Sequence, residues 1–389
     1  MALFPIAKPK AHSLTGRITQ PLLLTAFKAV KRNRGAAGVD KVSIKLFEAN
    51  LAQNLLALER DLKSGSFQPL PLRRKFLDKG GGKFRPLGIP AVRDRVAQEV
   101  LRRLLHPIFE PLFHEASFGF RPGRNCHQAL GLAIRHHDEG FRVILDADIV
   151  GCFDNLPHWL IKEAVAAQVA DGNILNLVEK FLRAGVMENG VFKPTVVGTP
   201  QGGVASPLLA NIVLNHLDWQ LHKLGYRFVR YADDFVVLCQ TQAQAEEAKT
   251  QVTHILNQLG LSLSAEKTRI ATYGKGYSFL GFVVSRRSKR MRPKSQDKFK
   301  DKVRELTARS RNLDAQLIEK LNRVIRGTAY YFAPRWSTSR WMYRKLDSWI
   351  RRRLRCVKYK HFSYHHNRRM RRKQFARLGL LSLEGFCWS

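Results

Sequence analysis

Cysteine is scarce in this chain, and acid is scarcer than base. The five cysteines, Cys126, Cys152, Cys239, Cys356 and Cys387, form no CxxC pair and show no metal-ligand spacing. That argues against a structural zinc site or a disulfide framework and leaves free thiols in a reducing compartment. No apolar run reaches membrane-spanning length, and the N-terminus lacks a long apolar h-region; the stretch 22–27 is too short and leads into an amphipathic segment. A soluble, cytoplasmic protein is expected. Asp and Glu total 31 against 67 Lys and Arg, a formal net charge of +36. Such a surplus burdens a compact chain with self-repulsion unless a polyanion is its usual partner. From Arg286 to the end, 31 basic residues stand against 7 acidic ones, so about two-thirds of the surplus lies in the last quarter. An anionic membrane fits that segment poorly, because its aromatics are scattered without a lipid-facing stripe.

At 389 residues the chain can bury a sizeable core across two or more domains. Residues up to about Leu62 read as helical, with apolar residues at helical spacing from Phe47 to Leu62. The segment from Phe76 to Pro90 reads as two short strands around Gly80-Gly-Gly82, a glycine run that suits a tight hairpin turn or a phosphate cradle. A helix is expected over 93–109, a strand over 143–150, a helix over about 158–170, a hairpin over 228–239 and a helix over about 241–259. This irregular alternation predicts an α+β fold. Past Ser285 strand signals vanish, and helices are expected at about 296–309, 314–332 and 338–357. The run Ser285-Arg-Arg-Ser-Lys-Arg290 with Pro293 reads as a hinge, dividing the chain into 1–285 and 286–389. Trp336, Trp341, Tyr343 and Trp349 interleave with the basic residues and read as core, or as platforms for stacked bases.

The chemistry centres on Phe228-Val-Arg-Tyr-Ala-Asp-Asp-Phe-Val-Val-Leu-Cys239, where Asp233 and Asp234 sit between apolar strand-like stretches. Adjacent like charges are unfavourable unless a cation neutralises them. A solvated turn and a divalent-metal turn therefore both remain open. Upstream, Val143-Ile-Leu-Asp-Ala-Asp-Ile-Val150 reads as a buried strand interrupted by acids, and Asp148 is costly there unless paired or metal-bound. Asp146 is read as facing away, and Asp154 as a cap for the helix that Pro157 begins. Asp148 and Asp233 together would bridge two hard cations, an arrangement suited to nucleotidyl transfer: one ion activates a 3′-hydroxyl and the other stabilises the leaving pyrophosphate oxygen.

Tyr231-Ala-Asp-Asp234 resembles the YxDD box of reverse transcriptases, and the chain as a whole is similar to the group II intron-encoded reverse transcriptase/maturase branch. The matching stretches run in the family's order: Gly35-Ala-Ala-Gly-Val-Asp40, Phe84-Arg-Pro-Leu-Gly-Ile-Pro90, Ser117-Phe-Gly-Phe-Arg-Pro-Gly123, Asp148-Ile-Val-Gly-Cys-Phe-Asp154, the segment Gly198 to Asn211, the acidic hairpin, Glu266-Lys-Thr268 and Phe279-Leu-Gly-Phe282. The resemblance implies a right-hand polymerase of fingers, palm and thumb that uses two Mg²⁺ ions. Asp148, Ile149, Asp233 and Asp234 would form the metal set, and Lys267 would be the general acid for pyrophosphate. Arg85 would bind the triphosphate of the dNTP with help from Lys79 or Lys75, and Phe153 would exclude a ribose 2′-hydroxyl. Gln201 and Gly202 would line the nucleotide pocket. Without the resemblance, Phe153 reads as a core residue, Lys267 as a surface lysine beginning a strand, and the stretch 200–203 as a turn before a helix.

Beyond about Arg290 the chain resembles the thumb and maturase region, with Arg326-Gly-Thr-Ala-Tyr-Tyr-Phe332 as its most recognisable stretch. The resemblance implies intron-RNA binding, here assigned to Arg351, Arg352, Arg353, Arg355, Arg368, Arg369, Arg371 and Arg372. His365-His366-Asn367 is read as part of that RNA-contacting tail, and the likeness is to the shorter lineage without an endonuclease domain. The implied partners are an RNA template, intron RNA, a DNA primer or target, and dNTPs, in a bacterial cytoplasm with nucleoid association. Two alternatives stand beside splicing and retrohoming: an RNA-binding splicing cofactor with an unused polymerase site, and a domesticated reverse transcriptase in DNA repair or phage defence.

Overall fold

The computed structural model describes residues 3–6, 9–78, 82, 84–199 and 202–387. The first half contains α1 (Gln20–Arg32), α2 (Ile44–Ala49), α3 (Leu51–Ser64), β1 (Leu72–Asp78), β2 (Phe84–Ile89), α4 (Val92–Phe109), α5 (Cys126–Asp138), β3 (Val143–Asp148), α6 (Cys152–Asn155), α7 (His158–Ala166), α8 (Gly172–Leu182), β4 (Val186–Glu188) and β5 (Val191–Lys193). There follow α9 (Ser206–Lys223), β6 (Arg227–Tyr231), β7 (Asp234–Cys239), α10 (Gln242–Gln258), β8 (Arg269–Thr272), β9 (Tyr277–Phe279), β10 (Phe282–Val284), β11 (Lys289–Met291), α11 (Pro293–Leu306), α12 (Ala315–Phe332), α13 (Arg340–Tyr359), α14 (His366–Arg369) and α15 (Arg372–Arg377). The fold is α+β, as expected. Three sheets have the strand orders β2-β1-β4-β5, β6-β7-β3-β8 and β11-β10-β9.

The chain divides into two compact units that do not separate at 285. The first comprises 1–132, 147–237 and 243–268; the second comprises 133–146, 238–242 and 269–389. In the first unit, β1 and β2 form the expected antiparallel hairpin with Leu77 opposite Arg85, and β1 runs parallel to β4. The β4–β5 hairpin turns through Asn189 (φ 51°) and Gly190 (φ 83°), an Asn-Gly pair suited to two successive left-handed residues. Helix α4 packs on α1, and Val96, Val100 and Leu101 are as fully buried as Leu23 and Ala26. The same helix buries Asp94, Arg95, Gln98 and Glu99, and two of them hold distant backbone: an Asp94 oxygen accepts the Leu70 N–H at 2.8 Å, and Gln98 Oε1 accepts the Val204 N–H at 2.6 Å. Burial raises the Asp94 carboxyl to about 6, against the opposing pull of the Leu70 N–H and Arg93.

In the second unit, α11, α12 and α13 form a core of Phe299, Val303, Leu321, Ile325, Tyr343, Leu346 and Ile350. The expected hinge at 285–290 is instead a hairpin. Phe282 stands opposite Met291, and Ser285 and Ser288 bond across the turn. A single apolar residue, Met291, is all that its buried side required, so no alternating pattern marked the strand. The imidazole of His137 is buried, stacked on Tyr273 at 4.0 Å between centroids, with Nδ1 2.7 Å from the Phe141 carbonyl and Nε2 2.9 Å from the Tyr277 hydroxyl. Burial pushes His137 down to about 4.

Candidate active site

Strand β3 buries Ile144, Leu145 and Ala147, leaves Asp146 half-buried and ends at the half-buried Asp148. Its backbone continues the pairing beyond the strand: the Ser264 N–H donates to the Asp148 carbonyl at 2.8 Å and the Val150 N–H to the Ser262 carbonyl at 3.0 Å. Ile149, buried, bridges Leu263. This local zipper carries the next turn, with Lys267, to the acidic strand end. Lys267 Nζ donates to Asp148 Oδ2 at 2.8 Å, and the Lys267 and Asp148 side chains are 66% and 35% exposed. The Asp148 bond, with the charges of Asp148, Asp233 and Glu266, holds the lysine above its ordinary pKa. One ammonium therefore feels both carboxylates expected to hold metal. A pair this exposed is worth about 0–1 kcal/mol, so an incoming cation can displace it. Among the described residues no three His, Cys, Asp or Glu side chains form a ready-made metal cage.

Asp233 occupies the β6–β7 turn, as the hairpin pattern implied, whereas Asp234 is not in the turn with it but is the first residue of β7. Asp233 lies close enough to the buried Cys152 thiol to help raise it to about 12, after burial itself and with a further contribution from Asp154. The residue before Asp233 is strained: Ala232 has φ +60°, which costs an L-residue about 1–2 kcal/mol. The sequence-based readings of the two lesser acids need correcting. Asp146 does not face away from Asp148; residues two apart on a strand share a face, and Asp146 accepts a 3.0 Å bond from Arg269. Asp154 caps nothing at Pro157, because it lies inside α6 and the N-cap of α7 is Pro157 without a side-chain bond.

Phe153 sits half-buried on α6, and its carbonyl accepts the Thr199 N–H at 2.6 Å. Gly198 and Gly202 each lie close against the backbone of another element. A Cβ on Gly198 (φ +88°) would lie 2.4 Å from the Asp154 carbonyl oxygen, and one on Gly202 (φ +112°) would lie 2.1 Å from that of Gly88. Glycine is required at both positions by conformation and by space. Gly202 is thereby seated on β2, the strand that presents Arg85 on an exposed face; Lys75 is exposed on β1. Lys79 and Gln201 lie outside the described residues.

The arginines assigned to RNA fall into two groups. Arg352, Arg368, Arg369, Arg371 and Arg372 are exposed and Arg351 is half-buried. Arg353 donates to the Thr307 carbonyl at 2.7 Å and to its hydroxyl at 3.0 Å, while Arg355 makes two bonds to the Met370 carbonyl at 3.0 and 2.9 Å. Both tie helix α13 to neighbouring segments. His366, expected in an RNA-contacting tail, is buried and stacked on Tyr359 at 4.2 Å. Among the described residues no helix is long and apolar enough to cross a membrane.

Comparison with known proteins agrees with this arrangement. The family "Reverse transcriptase (RNA-dependent DNA polymerase)" matches residues 77–284, and "Group II intron, maturase-specific domain" matches residues 296–376. Protein YkfC of Escherichia coli (strain K12) is 36% identical over 70% of this chain and 83% of its own length. Group II intron-encoded protein LtrA of Lactococcus lactis subsp. cremoris is 37% identical over 54% of this chain and 34% of that protein, and an uncharacterized 91 kDa protein in the cob intron of Schizosaccharomyces pombe is 30% identical over 69% and 40%. The chain thus aligns with well under half of these two longer relatives. With an acidic hairpin turn, a strand-end aspartate sharing a lysine with it, and a basic helical region later in the chain, the chain belongs to the reverse transcriptase family, an RNA-directed DNA polymerase carrying a group II intron maturase domain.

Proposed function

We propose that the chain extends a DNA primer on an RNA template and that its basic helical region binds intron RNA to assist splicing and retrohoming. Residues 1–285 would serve polymerisation and 286–389 the intron. The observation that carries the polymerase reading is the single ammonium of Lys267, bonded to Asp148 and held by the field of Asp233. An exposed lysine bonded to one of these carboxylates and in the field of the other is a stand-in for the cations that such a pair attracts. Asp148 and Asp233 would hold two Mg²⁺ ions, with Ile149 and Asp234 completing the set; when bound, the ions would supply charge for the attacking and leaving oxygens. The chain's own groups then have separable tasks. Arg85 offers a planar fork of donors to the triphosphate. Phe153, fixed through its carbonyl to Thr199, excludes a 2′-hydroxyl. Lys267 holds its proton beside the phosphates and is the group placed to give it to pyrophosphate.

Primer extension on an RNA template with Mg²⁺ and dNTPs tests this directly, and a chain that makes no cDNA sinks the reading. Within that assay Phe153→Ala should raise incorporation of ribonucleotides relative to deoxynucleotides by about tenfold or more, because a lost steric clash is worth about 1–3 kcal/mol of discrimination. An unchanged ratio removes Phe153 from the role.

RNA binding should weaken steeply with salt, by a slope proportional to the phosphates neutralised. Replacing Arg368, Arg369, Arg371 and Arg372 by Gln should reduce the magnitude of the slope of log K against log salt by about 3–4. Replacing Arg353 and Arg355 should instead lower the melting temperature, since their donors are engaged by backbone carbonyls. Equal loss of slope from both sets would overturn the division.

A further inference from the structure

Arg230 is the largest fully buried side chain in the protein's described residues, a cation with no exposure in the middle of β6. Its partner Asp218, on α9, is equally buried. Nε and Nη2 of Arg230 grip the two Asp218 oxygens at 2.7 and 2.5 Å, a bidentate fork. The remaining terminal nitrogen, Nη1, is divided between Asn211 Oδ1 and the Ala232 carbonyl, each at 2.9 Å. Asn211 is buried as well, and its Nδ2 donates to the Gly119 carbonyl at 2.8 Å. Gly119 closes the circuit: a Cβ there would stand 2.2 Å from the Ala232 nitrogen. The Arg230 backbone is fixed too, its N–H on the Ala116 carbonyl and its carbonyl under the Phe118 N–H, both at 2.9 Å.

One of these bonds and one close approach meet on a single residue, and the others fix the groups that supply them. Ala232 is held in the left-handed region at its carbonyl by Arg230 and at its nitrogen by the close approach of Gly119. The residue that follows is Asp233. Left-handed backbone at a non-glycine persists when the surroundings over-determine it, and such residues cluster where a function needs a fixed direction. A buried ion pair is in contrast a weak device for stability, since apolar residues of similar volume often replace one at no loss. The pair therefore has little to do for the fold that leucine and methionine could not do, and much to do for the turn.

We infer that Arg230, with Asp218 and Asn211, is a positioning residue that sets the direction of the Asp233 carboxylate by clamping the Ala232 carbonyl. The inference rests on the assignment of Asp233 to the metal set. Lysine cannot replace the fork, having one nitrogen where four bonds are made.

The test is the double variant R230M/D218L, which removes both charges together. Expected are a cooperative melting transition within a few degrees of the parent, unchanged affinity for primer–template, a kcat for primer extension lower by about a hundredfold with KM for dNTP within about threefold, and Mn²⁺ binding, followed by electron paramagnetic resonance without substrates, weaker by about tenfold. A well-folded double variant that extends primer and binds Mn²⁺ like the parent overturns the inference. The milder Arg230→Lys, which keeps the Asp218 charge paired, must show the same fall in kcat and in Mn²⁺ affinity; parental values there overturn it equally. Asp233→Asn in parallel separates the two levels: if it extends at the parental rate, the assignment of Asp233 fails, whereas a dead Asp233→Asn beside an active R230M/D218L fails only the clamp.

Discussion

Asp233→Asn should leave a folded protein that extends a primer at least about a thousandfold more slowly than the parent, a loss of ~4 kcal/mol in transition-state stabilisation. The substitution keeps the shape of the turn and removes one charge. Asp233 favours the charged form of Lys267 and disfavours ionisation of a Cys152 thiol that burial already keeps neutral, so its removal forfeits only a weak attraction to an exposed lysine and should cost little in stability. The melting temperature should therefore stay level while activity collapses. Asp154→Asn supplies the control, for Asp154 is exposed on α6 and its loss should cost no more than about threefold, or ~0.7 kcal/mol. Wild-type extension by Asp233→Asn, or an equal collapse from Asp154→Asn, sinks the site.

The second large effect concerns pH and stability. His137 is held neutral in the folded protein, down to about 4, whereas its unfolded value is the ordinary 6.5. Below 6.5 the unfolded chain takes up a proton that the folded one refuses. The stability that His137 contributes is thus complete above 6.5 and is lost as pH falls toward 4, by about 3 kcal/mol. Asp94 works in the opposite sense. Its carboxyl stays protonated up to about 6 when folded but only to 3.8 when unfolded, so stability falls by about 3 kcal/mol as pH rises from 3.8 to 6. In the parent the two terms largely mask each other. The difference in unfolding free energy between parent and His137→Phe should fall by about 3 kcal/mol from pH 6.5 to 4. The corresponding difference for Asp94→Asn should move the other way. Denaturant titrations at several pH values measure both, and a flat difference curve for either variant refutes its assignment.

The α+β class and most elements could be read from the sequence because their signals are local. The β6–β7 hairpin announces itself as two apolar runs around an acidic pair, and β1–β2 as two runs around glycines. The β4–β5 hairpin went unread although Asn189-Gly190 marks it, since strands of three residues carry too little alternation to register beside a turn signal. The β10–β11 hairpin had no such marker. At the site, Asp148 and Asp233 stood out as acids within apolar strands. What remained hidden was partnership across distance. Lys267 meets Asp148 over 119 residues, and nothing in either stretch names the other. Arg230 carries no signal of its own inside Phe-Val-Arg-Tyr in so basic a chain, yet an arginine at a strand's buried position with Asp218 on the apolar side of α9 is a readable pair once the facing elements are known.

The division of the chain into interleaved units has a consequence for synthesis on the ribosome. Asp146 and its partner Arg269 are 123 residues apart, and Val143–Asp146 has no antiparallel neighbour on that side until β8 emerges. At about 5–20 residues per second, translation leaves this strand edge waiting for roughly 6–25 s. An open edge for that long invites pairing with another nascent chain. A variant that slows translation between the two strands should therefore lower soluble yield without changing a single contact of the finished protein.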